Sequence, residues 1–399
     1  MQHQSSRVLH SRIMDILLAA LILATTGAFL QIGGTSWDVT SHLLQRPESF
    51  FTPSHAVLYA GVGMLTIAAG IGGILLLRNK ELRTKLFATG FKLLIIGSGI
   101  ALVAGPADFW WHQTFGVDGL LSPTHLTLAT GMLINSVAVV FGLARINVHF
   151  SSKSKKLMIK GALIPAFAAM WLTLIWYVHM FALPLSNGQH FNFNLDPIAA
   201  TIIAIVALPL ICSVVFLTAS KTIGGVGGDG GKFGAASAVA IVLIGMNVFA
   251  SIVPSYRAVS FLPWYALIVY PTVIIADLIL NTSLLKRSSE KSKMIIAGAI
   301  IGSAFYMIDF PWINLTFTHL LLPTHTFITD HIANTIPYFL ITLPITSIMT
   351  IIPGAIIGAL SSSIFTLYQR KRVQRQNESR MKACLLNSDP YQNYLSVWG

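Results

Sequence analysis

Ten apolar stretches, each about as long as the roughly 20 helical residues that cross a bilayer core, constrain this chain more than any other feature. A backbone inside lipid must satisfy its own hydrogen bonds, so such stretches form helices. Hydrophobic residues make up 54% of the chain and charged residues 10%, which lies outside the range of soluble domains. We therefore predict an all-α, polytopic membrane helical bundle of about ten transmembrane helices in contact with the lipid bilayer. The stretches lie at roughly 14–33, 55–77, 87–107, 124–147, 160–182, 197–219, 234–253, 262–285, 294–313 and 336–366.

The distribution of Lys and Arg decides what the net charge of +12 means. If the N-terminus is cytoplasmic, 24 of the 26 basic residues fall in cytoplasmic segments, and only Arg46 and Arg257 fall outside. This is the positive-inside pattern of membrane proteins, so the basicity does not indicate a nucleic-acid partner. We expect a multi-pass protein of the cell membrane with both termini in the cytoplasm, the second after a basic tail at 369–399. Residues 1–30 resemble a signal peptide, but we expect them to be retained, because their apolar run leads directly into a candidate ligand motif.

One spacing, Asp-x3-His-x12-His, occurs twice at chain positions that this topology places on the outer side. Each last histidine follows Pro-Ser or Pro-Thr, and the offset between the copies is the same from 38 to 108, from 42 to 112 and from 55 to 125. We interpret residues 1–150 as duplicated metal-site helical hairpins, with repeats at 14–77 and 87–147. The candidate metal ligands are Asp38, His42 and His55 in the first copy, and Asp108, His112 and His125 in the second.

The residue types in this motif are those of a metal site with open positions. Asp and His four residues apart lie on one helix face if the helix continues through both. Pro53 and Pro123 suit the first helical position, after Thr52 and Ser122 as possible caps, so each last His lies in a first turn. Two imidazoles and one carboxylate suit copper, non-haem iron or catalytic zinc better than a closed structural site. A single Asp-x3-His would more often be a hydrogen-bonded pair at a helix end, and the repetition of all three positions favours metal binding.

Glycine and proline punctuate the chain just before both motifs. We expect the first apolar stretch to end near Gly33-Gly34 and the third at Gly105-Pro106-Ala107. Both breaks would release the backbone before the acidic ligand. The helices would then resume at the prolines that precede the last histidines.

The rest of the chain carries less chemistry. Residues 151–290 form a four-span membrane region, and 291–368 form a third, degenerate hairpin. In that hairpin, Asp309-Phe-Pro-Trp312 and Leu322-Pro-Thr-His325 resemble the second motif, but Ile313 occupies the position of the middle histidine. His319 or His331 could replace it. The weaker third metal site consists of Asp309, His319, His325 and His331.

The string Phe51-Thr52-Pro53-Ser54-His55, with Asp38 and His42, resembles a membrane subunit of the copper membrane monooxygenases, the particulate methane and ammonia monooxygenases. In that family an Asp-x3-His-x12-His metal site occurs whose second His follows Phe-Thr-Pro-Ser. His112-Gln113-Thr114 also resembles the residues after the family's first His. The resemblance covers residues 38–55 and 108–125. It implies that both ligand sets bind copper, that other monooxygenase-like subunits are partners, and that the chain oxidises a small substrate.

Three classes of function are therefore open at the level of sequence. The first is an integral membrane copper protein, with iron or zinc as other metals, that is related to the copper membrane monooxygenases and oxidises a small substrate. The second is a transporter or metal-handling protein without catalysis, although the spans are nearly apolar below the ligands and Asp277 is an acid without an evident partner. The third is a haem-b or quinol electron-transfer protein that uses paired histidines. Association into a homo-oligomer is compatible with each of them.

Overall fold

A computed structural model describes residues 2–43, 49–116, 120–182, 194–226, 233–253, 262–285, 288–309, 341, 344–346 and 348–364. Within these residues all regular secondary structure is helical, in agreement with the predicted fold class. In chain order the helices are α1 (Gln2–Leu43), α2 (Pro53–Arg78), the short α3 (Lys80–Arg83), α4 (Leu86–Phe115), α5 (Pro123–Ile146), α6 (Lys153–Ala182), α7 (Pro197–Gly225), α8 (Ala235–Ile252), α9 (Leu262–Asn281) and α10 (Glu290–Ala304). A 3₁₀ turn at Asn147–His149 follows α5, a π-helical turn at Phe305–Asp309 follows α10, and α11 occupies Pro344–Ile364.

Seven helices of the described part of the chain are long and apolar enough to cross a membrane, namely α1, α2, α4, α5, α6, α7 and α11. The sequence predicted about ten transmembrane helices. The other three predicted spans coincide with α8, α9 and α10. The described apolar parts of α8 and α9 are shorter, at Ala235–Ala250 and Val269–Asn281, and α10 has 15 residues. These three therefore stay predictions, whereas seven helices support a multi-pass membrane protein.

The predicted breaks before the two motifs are wrong. α1 continues through Gly33 and Gly34 to its end, and α4 continues through Pro106. Gly34 serves close packing, because a Cβ atom there would lie 2.6 Å from the backbone N of Leu58 on α2. A proline inside a helix removes one hydrogen bond, and neighbouring helices can hold the remaining turns in place. Each Asp–His pair consequently lies on a continuous helix, which is the condition for both side chains to share one face.

Two antiparallel hairpins, the first hairpin (α1 and α2) and the second hairpin (α4 and α5), carry the motifs. Both use glycines at equivalent positions. A Cβ atom on Gly61 would lie 2.6 Å from the carbonyl O of Gly27, and one on Gly131 would lie 3.0 Å from the carbonyl O of Gly97. Small residues at such contacts let the backbones approach closely, as helices in lipid commonly do. The step from one contact to the other, 27 to 97 and 61 to 131, is the same as the step between the two motifs.

Both hairpins present their motif residues at one end of the bundle, which we call the triad end. α1 and α4 finish there, and α2 and α5 begin there. The two hairpins pack side by side, since α2 contacts α4 and α1 contacts α5. α6 packs against α1, and at the opposite end its Lys155 forms an ion pair with Asp15 of α1. Basic residues are concentrated at that opposite end, at Arg78, Lys80, Arg83, Lys85, Arg145, Lys153, Lys155 and Lys156.

Candidate metal centre

The first triad, Asp38, His42 and His55, brings the end of α1 next to the start of α2. Nε2 of His42 and Nε2 of His55 lie 3.1 and 3.2 Å from the same atom, Oδ2 of Asp38. Two ligands bound about 2.0–2.1 Å from one ion are roughly 3 Å apart, so these are the spacings of ligands that share an ion. All three side chains are largely buried. The first triad therefore has the residue types, the spacing and the shelter of a metal site.

Two further hydrogen bonds hold the first triad in position. The Ser54 hydroxyl donates to Oδ1 of Asp38 at 2.7 Å. Nδ1 of His55 donates to the carbonyl O of Ser49 at 3.0 Å. The second bond places the proton on Nδ1, so Nε2 presents its lone pair, which is the usual arrangement of a metal-binding histidine. Ser54 likewise occupies one carboxylate oxygen and leaves the other facing the imidazoles.

The second triad, Asp108, His112 and His125, forms in the same way at the end of α4 and the start of α5. Nε2 of His112 and Nε2 of His125 lie 3.1 Å apart, as two ligands on one ion would. The carboxylate is more distant, since Oδ2 of Asp108 is 3.7 Å from His112 and Oδ1 is 3.4 Å from His125. Oδ1 of Asp108 is buried and accepts no hydrogen bond from the described residues. The carboxylate of the second triad is thus held less firmly than that of the first.

The hydroxyl that corresponds to Ser54 has another partner in the second triad. Thr124 occupies the position equivalent to Ser54, directly before the last histidine, and its hydroxyl is 3.2 Å from that of Ser122. Ser122 is the N-cap of α5, where its hydroxyl accepts the backbone N–H of His125 at 3.2 Å. Thr52, the N-cap of α2, makes no side-chain cap bond. The predicted proline at the first helical position is confirmed for both helices, and the predicted hydroxyl cap is confirmed for α5 alone.

The two triads contact each other through their histidines. The rings of His42 and His112 meet edge to face, with centroids 5.3 Å apart. Within the triads, His42 and His55 are 6.3 Å apart and His112 and His125 are 5.0 Å apart. Four imidazoles therefore follow one another across the triad end, from α2 through α1 and α4 to α5. The donor atoms still form two separate groups, so this end offers two adjacent positions for a metal ion.

Sequence reasoning missed the side chains that surround the first triad. The ring of Tyr59 stacks on that of His55, with centroids 5.7 Å apart. Phe50 contacts both Tyr59 and Phe109 of α4, at 5.0 and 5.2 Å, and so packs the loop before α2 against the second hairpin. A signal was present for Tyr59, because it follows His55 by four residues and so shares its helix face. Ser54 lies inside the motif itself, where its hydroxyl was available for a ligand.

The weaker third site lies outside the described residues. This applies to His319, His325 and His331 and to the side chain of Asp309, whose backbone ends the π-helical turn. The third site therefore stays a sequence prediction.

No family model, no curated protein and no solved structure matches this chain. The resemblance to the copper membrane monooxygenases accordingly rests on the letters of residues 38–55 and 108–125. Independently of that resemblance, both sets of letters fold into groups of two imidazoles and one carboxylate that could hold a metal ion.

Proposed function

We propose that this chain is a multi-pass membrane metalloprotein that binds copper at the first and second triads and is related to the copper membrane monooxygenases. The observation that carries the proposal is the convergence of two imidazole Nε2 atoms and a carboxylate, twice, at distances suited to one ion. Asp and His residues that only cap helix ends have no reason to meet in threes. Their recurrence at equivalent positions of two hairpins supports binding over capping.

The donor set narrows the choice of metal. Two imidazoles and one carboxylate also bind non-haem iron and catalytic zinc, which are the alternatives to copper. Copper is favoured because Cu²⁺ binds most tightly of the divalent ions to a given set of nitrogen and oxygen donors. Three protein ligands leave coordination positions open, and a redox metal with open positions supplies the chemistry that oxidation of a small substrate requires. Ser54 and Ser49 would orient the ligands, and Tyr59 and Phe50 would limit the access of water.

The arrangement of the chain belongs to the same proposal. Glycine contacts at equivalent positions, related by the same offset as the motifs, support a duplication of the hairpin. Basic residues at the end opposite the triads support an outer location for the metal sites under the positive-inside rule. Other monooxygenase-like subunits, or further copies of this chain, are the proposed protein partners.

Elemental analysis of the purified full chain tests the proposal. We expect about two copper ions per wild-type chain, because two separate donor groups are present. The double variants Asp38→Ala/His42→Ala and Asp108→Ala/His112→Ala should each keep one ion, and the combined fourfold variant none. His149→Ala is the matched control, because His149 packs on Phe87 at the opposite end, and it should keep both ions. A wild type without metal, or equal metal content in every variant, would show that the triads are not metal sites.

A transport function is less well supported by the interior of the bundle. A path would need polar groups from the triad end to the opposite end. Asp277, the buried acid, does not provide one, because its carboxylate accepts the backbone N–H groups of Gly234 and Ser237 and so caps α8. Deeper along α1 than Gln31, the fully or almost fully buried side chains include Ala28, Ala24, Leu21 and Leu17.

A haem function is disfavoured by the spacing of the imidazoles. Axial ligands on opposite sides of an iron, each about 2 Å from it, are separated by about 4 Å with the porphyrin plane between them. Nε2 of His112 and Nε2 of His125 are only 3.1 Å apart. They therefore fit two adjacent ligands on a small ion, and an optical spectrum without a Soret band would confirm this.

A further inference from the structure

A central polar cluster lies inside the bundle beneath the triads. Its members are Gln31 of α1, Ser98 of α4 and Asn135 of α5, which are 1%, 2% and 0% exposed. Gln31 is seven residues from Asp38, which places it about 10 Å deeper along α1 at a rise of 1.5 Å per residue. Asn135 is ten residues from His125, or about 15 Å deeper along α5. Polar side chains at this depth of an apolar bundle need an explanation.

The hydrogen bonds within the central polar cluster are long, and one donor has no partner. Nδ2 of Asn135 is 3.5 Å from Oε1 of Gln31, and the Ser98 hydroxyl is 3.4 Å from Oδ1 of Asn135. Ordinary protein hydrogen bonds of these types are about 2.5–3.2 Å long. Nε2 of Gln31 is buried and bonds to no described residue. Because an unsatisfied amide is strongly unfavourable in a membrane interior, this geometry favours a small polar molecule as its partner.

The cluster continues a polar stripe on α1 that ends at the first triad. The stripe residues are spaced four, three and four apart, which keeps them on one helix face. They are Gln31, Thr35, Asp38 and His42. The Thr35 hydroxyl donates to the carbonyl O of Gln31 at 2.9 Å and lies 3.5 Å from Sδ of Met132 on α5. A hydroxyl therefore stands between the cluster and the metal ligands.

The second hairpin shows that helix packing does not require these polar groups. In the second copy of the repeat, the positions that correspond to Gln31 and Thr35 are Ala101 and Gly105. In the first copy, the position that corresponds to Asn135 is Leu65. Equivalent glycine contacts nevertheless close both hairpins. The polar side chains therefore add a property that the second hairpin lacks.

We propose that the central polar cluster binds water within the bundle, on the inner side of the first triad. Nε2 of Gln31 donates to this water, and the oxygens of Asn135 and Ser98 complete the two to four polar partners that a buried water needs. Thr35 then extends the hydrogen-bonding route toward Asp38. Water and protons reach the metal centre by this route from inside the bundle as well as from the triad end. Water binding at the cluster does not depend on the metal that the triads hold.

Hydroxyl-radical labelling of the metal-free full chain in lipid nanodiscs, with radicals generated from water by X-ray pulses, tests this proposal. Radicals formed from a bound water oxidise the side chains beside it, and the methionine sulfur is readily oxidised. Met132 is the reporter, at 3% exposure, and Met170 and Met246 are buried controls at 8% and 5%. We expect Met132 to be oxidised about fivefold faster than either control, although it is the least exposed of the three.

Substitutions within the cluster identify the source of the labelling. Gln31→Leu and Asn135→Leu remove the polar atoms at similar volume and should lower the oxidation rate of Met132 to that of Met170. Ser136→Ala is the matched control, because the Ser136 hydroxyl donates to Leu133 O of its own helix, and it should leave the rate unchanged. If a Leu variant misfolds, the rate at Met170 rises as well, and the milder Ser98→Ala then replaces it.

Two results would overturn the proposal. Equal oxidation of Met132 and Met170 in the wild type would mean that the cluster holds no water and that its side chains only join helices. An unchanged Met132 rate in correctly folded Gln31→Leu and Asn135→Leu would mean that the labelling water is bound elsewhere. Metal content is measured separately in the same variants, so a failure of the metal sites is distinguishable from a failure of the water site.

Discussion

The first and second triads contain the same residue types at the same spacing, yet they are held differently. Ser54 donates to Asp38 at 2.7 Å, whereas the corresponding Thr124 hydroxyl lies 3.2 Å from Ser122. Hydrogen bonds from outside the ligand set keep the ligands in the bound arrangement before the ion arrives, so less order is lost on binding. We therefore expect the first triad to bind metal more tightly than the second.

The difference comes from competition for one hydroxyl group at the start of a helix. In α5, Ser122 caps the helix and also contacts the hydroxyl of Thr124. In α2, the N-cap Thr52 makes no side-chain cap bond, and the Ser54 hydroxyl bonds to the carboxylate. A repeated motif can thus produce a firm site and a looser one, because residues between the ligands serve the helix in one copy and the ligand in the other.

The largest effect is expected when each triad is titrated alone. Asp108→Ala/His112→Ala leaves the first triad, and Asp38→Ala/His42→Ala leaves the second. We expect the first triad to bind Cu²⁺ about 10–100-fold more tightly, which is the usual contribution of such outer hydrogen bonds. Competition with a chelator of known affinity measures both dissociation constants. Equal constants, or a tighter second triad, would remove the basis of the comparison.

A smaller effect should follow from the hydroxyls themselves. Ser54→Ala removes the bond to Asp38 and should weaken the first triad about tenfold. Thr124→Ala is the matched change in the second hairpin and should alter its affinity less than about twofold, because Thr124 does not hold the carboxylate. The same chelator competition, in the single-triad backgrounds, reports both values. Similar losses in the two variants would argue against Ser54 as a positioning residue.

The hairpin contacts should differ in the same direction. The added methyl group of Gly61→Ala lies 2.6 Å from Gly27 O, and that of Gly131→Ala lies 3.0 Å from Gly97 O. We expect Gly61→Ala to lower the free energy of unfolding by about 1–3 kcal/mol, and Gly131→Ala by less. Gly63→Ala is the control on α2, because nothing lies within 4 Å of its Cβ position. Unfolding in mixed micelles with increasing denaturing detergent compares the three, and a destabilised control would undermine the assignment.

The smallest effect concerns the helix caps. Ser122→Ala removes the acceptor for the backbone N–H of His125 and should destabilise the protein by about 1 kcal/mol. Thr52→Ala should have almost no effect, because Thr52 makes no side-chain cap bond. Thermal unfolding of the metal-free variants measures the difference. A larger loss for Thr52→Ala than for Ser122→Ala would reverse the assignment of the two caps.

The sequence by itself determined the features that depend on neighbouring residues. Apolar stretches of membrane length specify helices, because lipid offers the backbone no other hydrogen-bond partners. The four-residue step from Asp38 to His42 specifies a shared helix face, and Pro53 specifies where the next helix begins. These local rules were sufficient to identify the six candidate ligands of the two triads, Asp38, His42, His55, Asp108, His112 and His125.

Only the tertiary structure decided how distant segments meet. The contact of His42 with His112, the bond from Ser54 to Asp38 and the pairing of Gln31 with Asn135 all depend on how the helices pack. No periodic pattern encodes these pairs, since their members lie 16 to 104 residues apart. Gly34 shows the physical reason. A glycine can end a helix or admit a neighbour, and the backbone of Leu58, 2.6 Å from its Cβ position, decided for the second.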